Sequence, residues 1–192
     1  STIDWRGSSC CGRRNPIAKH FDPRRKNLTD ITAAIASPND QPNHTFRALE
    51  QLVDETIGVK LFTLMEVDRT RNVAWRSYTN NPEAYPTLGE KPQQQNSWSE
   101  IVEGRHETFV ANTIDEIAAV FPDFELIQSL GCESCLNLPI VINGTMRGTL
   151  NCLHDAGHFT PERVAAAEAL KAAGALTFLF TANLRLQGED HG

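Results

Sequence analysis

The chain has 192 residues and a mass of 21.3 kDa, with 40% hydrophobic and 22% charged side chains. That is the make-up of one globular domain and excludes collagen-like, low-complexity and disordered classes. The formal net charge is −6, but residues 1–30 carry seven Lys/Arg against three Asp, and the other 162 residues carry 11 basic and 21 acidic side chains. An acidic body lacks the cations that neutralise phosphates, so nucleic acid is not an expected partner. The longest strongly apolar stretch, Ala175 to Leu184, falls well short of the ~20 residues of a membrane span, so no membrane is expected either. With no apolar secretory core, the expected location is cytoplasmic.

Residues 1–40 read as an irregular basic arm, 41–187 as one α+β domain and 188–192 as a tail. Cys10, Cys11 and His20 in the arm read as incidental. Phe46, Leu49, Val53 and Ile57 recur at helical spacing, and Gly58 closes that helix. Val59 to Val67 and Val73 to Thr79 are rich in β-formers, and the polar run Asp68 to Asn72 folds them into an antiparallel pair. Asn80 to Asn96, with three prolines and three consecutive glutamines, reads as a surface loop. Ser97 with Glu100, and Thr113 with Glu116, fit the capping box and predict short helices over 98–103 and 114–121. Thr108 to Ala111 between them is a candidate short strand. Asp123 to Leu130 reads as a further helix ended by Gly131.

Leu136 to Ile142, Asn143-Gly144 and Thr145 to Leu153 form the clearest local signal, because Asn-Gly supplies the two positive-φ residues of a type I′ hairpin turn. Thr160-Pro161-Glu162 then gives a cap, a proline and an acid in the first turn of a helix to about Leu186. Counting from the turn pairs Ile142 with Thr145, Pro139 with Gly148 and Cys135 with Cys152. It puts Cys135, Asn137, Met146, Leu150 and Cys152 on one face, and Leu136, Leu138, Ile140, Ile142, Arg147, Thr149, Asn151 and Leu153 on the other. Pro139 lacks a donor, so its outer side is expected to be an edge, bulge or loop.

The segment Gly131 to His154, GCESCLNLPIVINGTMRGTLNCLH, resembles the hallmark hairpin of GAF domains, and Phe159-Thr160-Pro161-Glu162 is similar to that family's lead into its last helix. The resemblance spans roughly residues 43–185. It implies a central antiparallel sheet with terminal helices on one face and loops and short helices over the other. It also implies a small-molecule site between the sheet and the loop layer. GAF domains bind cyclic nucleotides, tetrapyrroles, amino acids, 2-oxo acids or aromatic compounds, and a few are enzymes. The enzymes reduce free methionine sulfoxide with cysteines, and Cys132 lies near the position of their reactive one. Those enzymes carry further cysteines in the preceding stretch, whereas residues 12–131 here contain none.

Cys132-Glu133-Ser134-Cys135 is a CxxC, but a zinc site needs a second pair or histidines at suitable spacing, and only His154 and His158 are near in sequence. No metal and no cofactor is therefore expected. Cys132 follows a helix end, where the dipole raises a thiol pKa. His106 and His154 are the histidines best situated to serve as a base or as a donor to a bound carboxylate. Aromatics concentrate in the second strand, the long loop and the short helices. Trp75, Tyr78, Tyr85, Trp98 and Phe109, with Asn137 and Asn151, are the candidate ligand-binding residues, and a wall of such rings suits a small aromatic or carboxylate-bearing guest. The alternative is that the rings fill a second core. Arg76 can pair a ligand carboxylate, but strict alternation puts it opposite Trp75 and together with Tyr78.

The expected function is a small-molecule-binding GAF-type module in a homodimer. In that dimer the apolar stripe Val164, Leu170, Ala173, Leu176, Phe180 and Leu184 of the last helix faces the first helix and a second subunit. The alternative is a stand-alone GAF-fold enzyme. It would use Cys132 as redox thiol or nucleophile, Cys135 or Cys152 as the resolving thiol, and His106 or His154 for proton transfer.

Overall fold

The structure, a computed structural model, describes residues 28–87, 89–92 and 95–189. Cys10, Cys11, His20 and the greater part of the basic arm lie outside them. Six antiparallel strands form one sheet in the order β3-β2-β1-β6-β5-β4. They are β1 Leu61–Asp68, β2 Val73–Thr79, β3 Glu90–Pro92, β4 Phe109–Ala111, β5 Ser134–Ile142 and β6 Thr145–His154. Helices α1 Leu28–Ala36, α2 Asn43–Ile57, α6 Pro161–Glu168 and α7 Leu170–Glu189 pack on one face. A helical turn α3 Ser97–Ser99, a π-helical turn Glu100–Gly104 and helices α4 Ile114–Ala118 and α5 Phe124–Ser129 make up the layer over the other.

Each face buries its own core. On the helix side Phe46, Leu49 and Val53 of α2 meet Phe62, Leu64, Leu136, Leu138, Ile140, Leu150 and Cys152 of the sheet and Phe178 of α7. On the loop side Leu61, Ala111, Cys132, Cys135 and Leu153 meet Ile117 and Ile127. Residues 161–187 are long and apolar enough to cross a membrane, but α6 and α7 point Ala167, Leu170, Ala173 and Phe178 into the core.

The hairpin departs from simple counting at one residue. Ile142 faces Thr145 and Val141 faces Met146, but Ile140 faces Gly148, which leaves Arg147 as a β-bulge. Beyond it Pro139 faces Thr149, Leu136 faces Cys152 and Cys135 faces Leu153. The expected Pro139–Gly148 and Cys135–Cys152 pairs are therefore overturned, and the two cysteines point into opposite cores. Gly148 allows the tight passage at this point. A Cβ there would sit 2.0 Å from the Met65 carbonyl oxygen and 2.9 Å from the Phe178 ring. Pro139 sits as expected, because β4 pairs only with Cys135 to Asn137 and stops short of it.

A second bulge, in β2, lets Leu64 face Tyr78 and Met65 face Arg76. Ser77 is the extra residue, so Trp75 and Tyr78 share the helix face and Arg76 takes the other, which corrects the expected grouping of Arg76 with Tyr78. Further differences are local. Leu28–Ala36 is a helix with Ile31 fully buried, inside the segment read as an irregular arm. β3 pairs with Val73 to Trp75 inside the predicted loop. The capping box at the first short helix belongs to Asn96 and Ser99, one residue ahead of Ser97 and Glu100. The Thr113–Glu116 box forms as predicted, and the Thr160 cap with Pro161 opens α6, though the long terminal helix is divided near Ala169.

Candidate functional site

The two bulges bring polar side chains into register across the middle of the loop face. Phe109, Asn137, Asn151, Thr63 and Thr79 stand opposite one another on β4, β5, β6, β1 and β2. Asn137 is 4% exposed, so its amide must find partners inside the protein. Its Nδ2 donates to Asn151 Oδ1 at 2.8 Å, and Asn151 Nδ2 donates to Thr63 Oγ1 at 3.2 Å. From the layer above, Trp98 Nε1 donates to Asn137 Oδ1 at 2.9 Å. The indole is held there because Asn96 caps the turn that carries it and also donates Nδ2 to the Val120 carbonyl at 3.1 Å.

The rings above the row pack on one another. Trp98 meets Phe121 edge-on at 6.0 Å, and Phe121 meets Phe109 at 6.3 Å. Beside them lies a cleft of about 530 Å³, lined by Arg69, Asn72, Asn96, Ser97, Ser99 and Glu103 among others. Its walls are polar where the sequence led us to expect rings. Arg69 Nη1 bonds Glu103 Oε2 at 3.1 Å across it, and burial raises the Glu103 pKa against the pull of that arginine. The π-helical turn forming one wall is a rare element that often marks functional sites.

A second group flanks the row. Arg76 lies under the Tyr85 ring, with its Cζ 4.8 Å from the centroid. Tyr85 donates its hydroxyl to Asp123 Oδ2 at 2.8 Å, and burial pushes the phenol pKa upward. Arg76 Nη1 donates to the Pro86 carbonyl at 2.9 Å. Its Nε is sealed from water with no partner among the described residues, and burial lowers the Arg76 pKa.

Of the predicted ligand residues, Trp98, Phe109, Asn137 and Asn151 come together, with Tyr85 in the same layer. Trp75 and Tyr78 do not join them. Tyr78 packs on Phe46 and Phe62 and hydrogen-bonds Glu50, and Trp75 lies under Arg185 of α7. Thr63, Thr79 and Arg69 escaped the sequence reading, because only the bulged register and the fold of the π turn bring them into the layer.

The thiols are shut away. Cys132 is fully buried in the loop-side core, and burial raises its pKa in spite of nearby Lys60. Cys135 is pushed up to about 12 by burial, and Cys152, on the other face, is pushed higher still. The groups that act on Cys132 are Lys60 and Asp155, not a histidine. His106 follows the π turn with a left-handed φ of 58°. His154 stacks on His158 at 3.5 Å and accepts from the Asp155 amide at Nδ1, while burial and then His158 lower its pKa. Among the described residues no cluster of three His, Cys, Asp or Glu suited to a metal forms.

The GAF domain family model matches residues 43–177. The chain belongs to the GAF domain family. Among solved structures, this GAF domain is similar to that of a two-component sensor histidine kinase from Bacillus halodurans, with TM-score 0.61 at 14% identity over 77% of this chain and 98% of that one. It is also similar to the GAF domain of an Acinetobacter phosphoenolpyruvate-protein phosphotransferase, with TM-score 0.60 at 15% identity over 82% and 93%. Free methionine-R-sulfoxide reductase from Neisseria meningitidis, solved with its substrate, matches with TM-score 0.58 at 15% identity over 82% and 89%. At these identities the likeness is one of fold. No curated protein sequence matches the chain significantly.

Proposed function

We propose that this GAF domain is a small-molecule-binding module, and that a small aromatic or carboxylate-bearing metabolite docks on the loop face of its sheet. The observation that carries this reading is the polar row Asn137–Asn151–Thr63, set in the middle of a buried layer with the Trp98 indole as its cover. A row of amides and hydroxyls adds little to a core that apolar side chains fill as well. It gives a guest donors and acceptors in fixed positions. The adjoining cleft of about 530 Å³ lies within the usual range for ligand sites. Burial and raised pKa of Cys132 favour binding over thiol catalysis.

The module works as a homodimer in this reading. Four of the six residues of the expected stripe are spent on the protein's own core, where Leu170 and Ala173 are buried and Val164 and Leu176 packed, while Phe180 and Leu184 are partly exposed. The outward stripe is Leu179, Ala182 and Leu186, with spacings of three and four, and Leu179 and Leu186 are 52% and 63% exposed. Two measurements test the reading. A panel of small aromatic and 2-oxo acids screened by tryptophan fluorescence and calorimetry yields a binder whose affinity falls at least about tenfold in Trp98→Ala, as one lost buried contact requires. Light scattering gives a dimer that Leu179→Glu/Leu186→Glu converts to monomer. A panel without any binder, or binding indifferent to Trp98, refutes the site.

A further inference from the structure

We propose that Arg76 reads a carboxylate on the guest through the edge formed by its Nε and Nη2 atoms, an assignment that rests on the loop-face reading above. Arg76 faces the loop layer opposite Met65, two residues along β1 from Thr63 of the polar row, or about 7 Å at strand rise. Its Nη1 is committed to the Pro86 carbonyl. Among the described residues Nε is buried with no acceptor, and Nη2 makes no hydrogen bond. The guanidinium is also short of a counter-charge. Asp123, the acid whose charge reaches Arg76, is engaged by the Tyr85 hydroxyl, and among the described residues it forms no ion pair with Arg76.

A charge held partly out of water without an ionic partner is unfavourable, and in ligand sites the partner arrives with the ligand. The free edge has two parallel N–H donors, the fork that matches the two oxygens of a carboxylate. Tyr85 covers the guanidinium, its ring centroid 4.8 Å from Cζ. Tyr85 and Pro86 belong to the connection between β2 and β3, so a guest gains the edge by displacing that connection.

The test uses the 192-residue chain with benzoate, its neutral isostere benzamide, and inorganic phosphate, read by calorimetry and tryptophan fluorescence. Benzoate is expected to bind at least about tenfold more tightly than benzamide, the worth of one charge-assisted hydrogen bond. In Arg76→Met that preference disappears, while the melting temperature of the unliganded protein stays the same or rises, because an unpaired charge has been removed. Arg76→Lys keeps the charge and loses the fork, and is expected to bind benzoate more weakly than the parent while still preferring it to benzamide. Equal binding of benzoate and benzamide by the parent, or a preference that survives in Arg76→Met, overturns the assignment and leaves the loop-face site standing. A phosphate preference that depends on Arg76 overturns the carboxylate, and so does binding of none of the three probes. The broader panel judges the loop-face site separately. A melting temperature lowered in both variants makes Arg76 a strut for Pro86 and Tyr85 and likewise refutes the proposal.

Discussion

Arg185→Ala tests how the terminal helix is fastened to the sheet. Arg185 reaches from α7 to Glu66 on β1 with two parallel bonds, Nη1 to Oε2 at 2.7 Å and Nη2 to Oε1 at 2.5 Å. The partners are unequal, since Glu66 keeps 6% of its side-chain surface in water and Arg185 keeps 45%. Removing the arginine strands a buried carboxylate, a loss of about 3 kcal/mol at the low end for broken buried pairs, discounted because the arginine is half in water. The contact of Arg185 with the Trp75 face adds about 0.5 kcal/mol. Removing the glutamate strands only a group that can turn to solvent, and costs about 1 kcal/mol. We expect Arg185→Ala to lower the melting temperature by roughly 6–12 °C and Glu66→Ala by a third of that, with the double variant well short of the sum. Urea unfolding followed by tryptophan fluorescence measures all three. A loss under about 1 kcal/mol for Arg185→Ala, or strict additivity, would refute the reasoning.

Gly148→Ala forces a methyl carbon within 2.0 Å of a backbone oxygen and is expected to cost more than about 3 kcal/mol. Gly174→Ala meets only the ends of Ile140 and Leu150 at 2.7 and 2.8 Å and should cost about half as much, both read from chemical denaturation. Trp98→Phe keeps the ring but leaves Asn137 Oδ1 without its donor, a loss of about 1–2 kcal/mol that a calorimetric scan detects. The buried thiols of Cys132, Cys135 and Cys152 should resist a disulfide reagent at pH 8 until the protein is unfolded, as peptide mass spectrometry will reveal, and rapid native labelling of Cys132 would contradict its burial. Because burial pushes the Cys135 thiol from its ordinary value of 9.0 up to about 12 in the folded protein, the unfolded chain sheds that proton first. Stability should therefore decline as pH rises through this interval.

Much of the architecture is legible in side-chain pattern, since α2, the β1–β2 pair, the Asn143-Gly144 turn and the Thr113 and Thr160 caps each follow from a local rule whose partners lie within a few residues. What pattern cannot supply is register beyond a bulge. Ser77 and Arg147 look like any strand residue, and the close approach of Met65 and Phe178 to Gly148, next to the second bulge, joins residues far apart in sequence. Helix α1 was hidden for a related reason: Ile31 and Ala34 earn their place only by packing against α2 and α7. At the site, Trp98, Asn137 and Asn151 were recognisable as residue types, but their contact depends on that same register.

The extra residue at Arg147 has a consequence wider than its own kink. Up to that point the returning strand follows the count set by its turn. After it, parity flips, and each side chain from Gly148 to His154 trades one interior for the other. Without the insertion Asn151 would look toward the terminal helices and Asn137 would have Leu150 as its neighbour. One residue gained or lost beside a turn can thus rewrite what lines both chambers of such a domain while every strand keeps its partners, a cheap route to new ligands on an old frame.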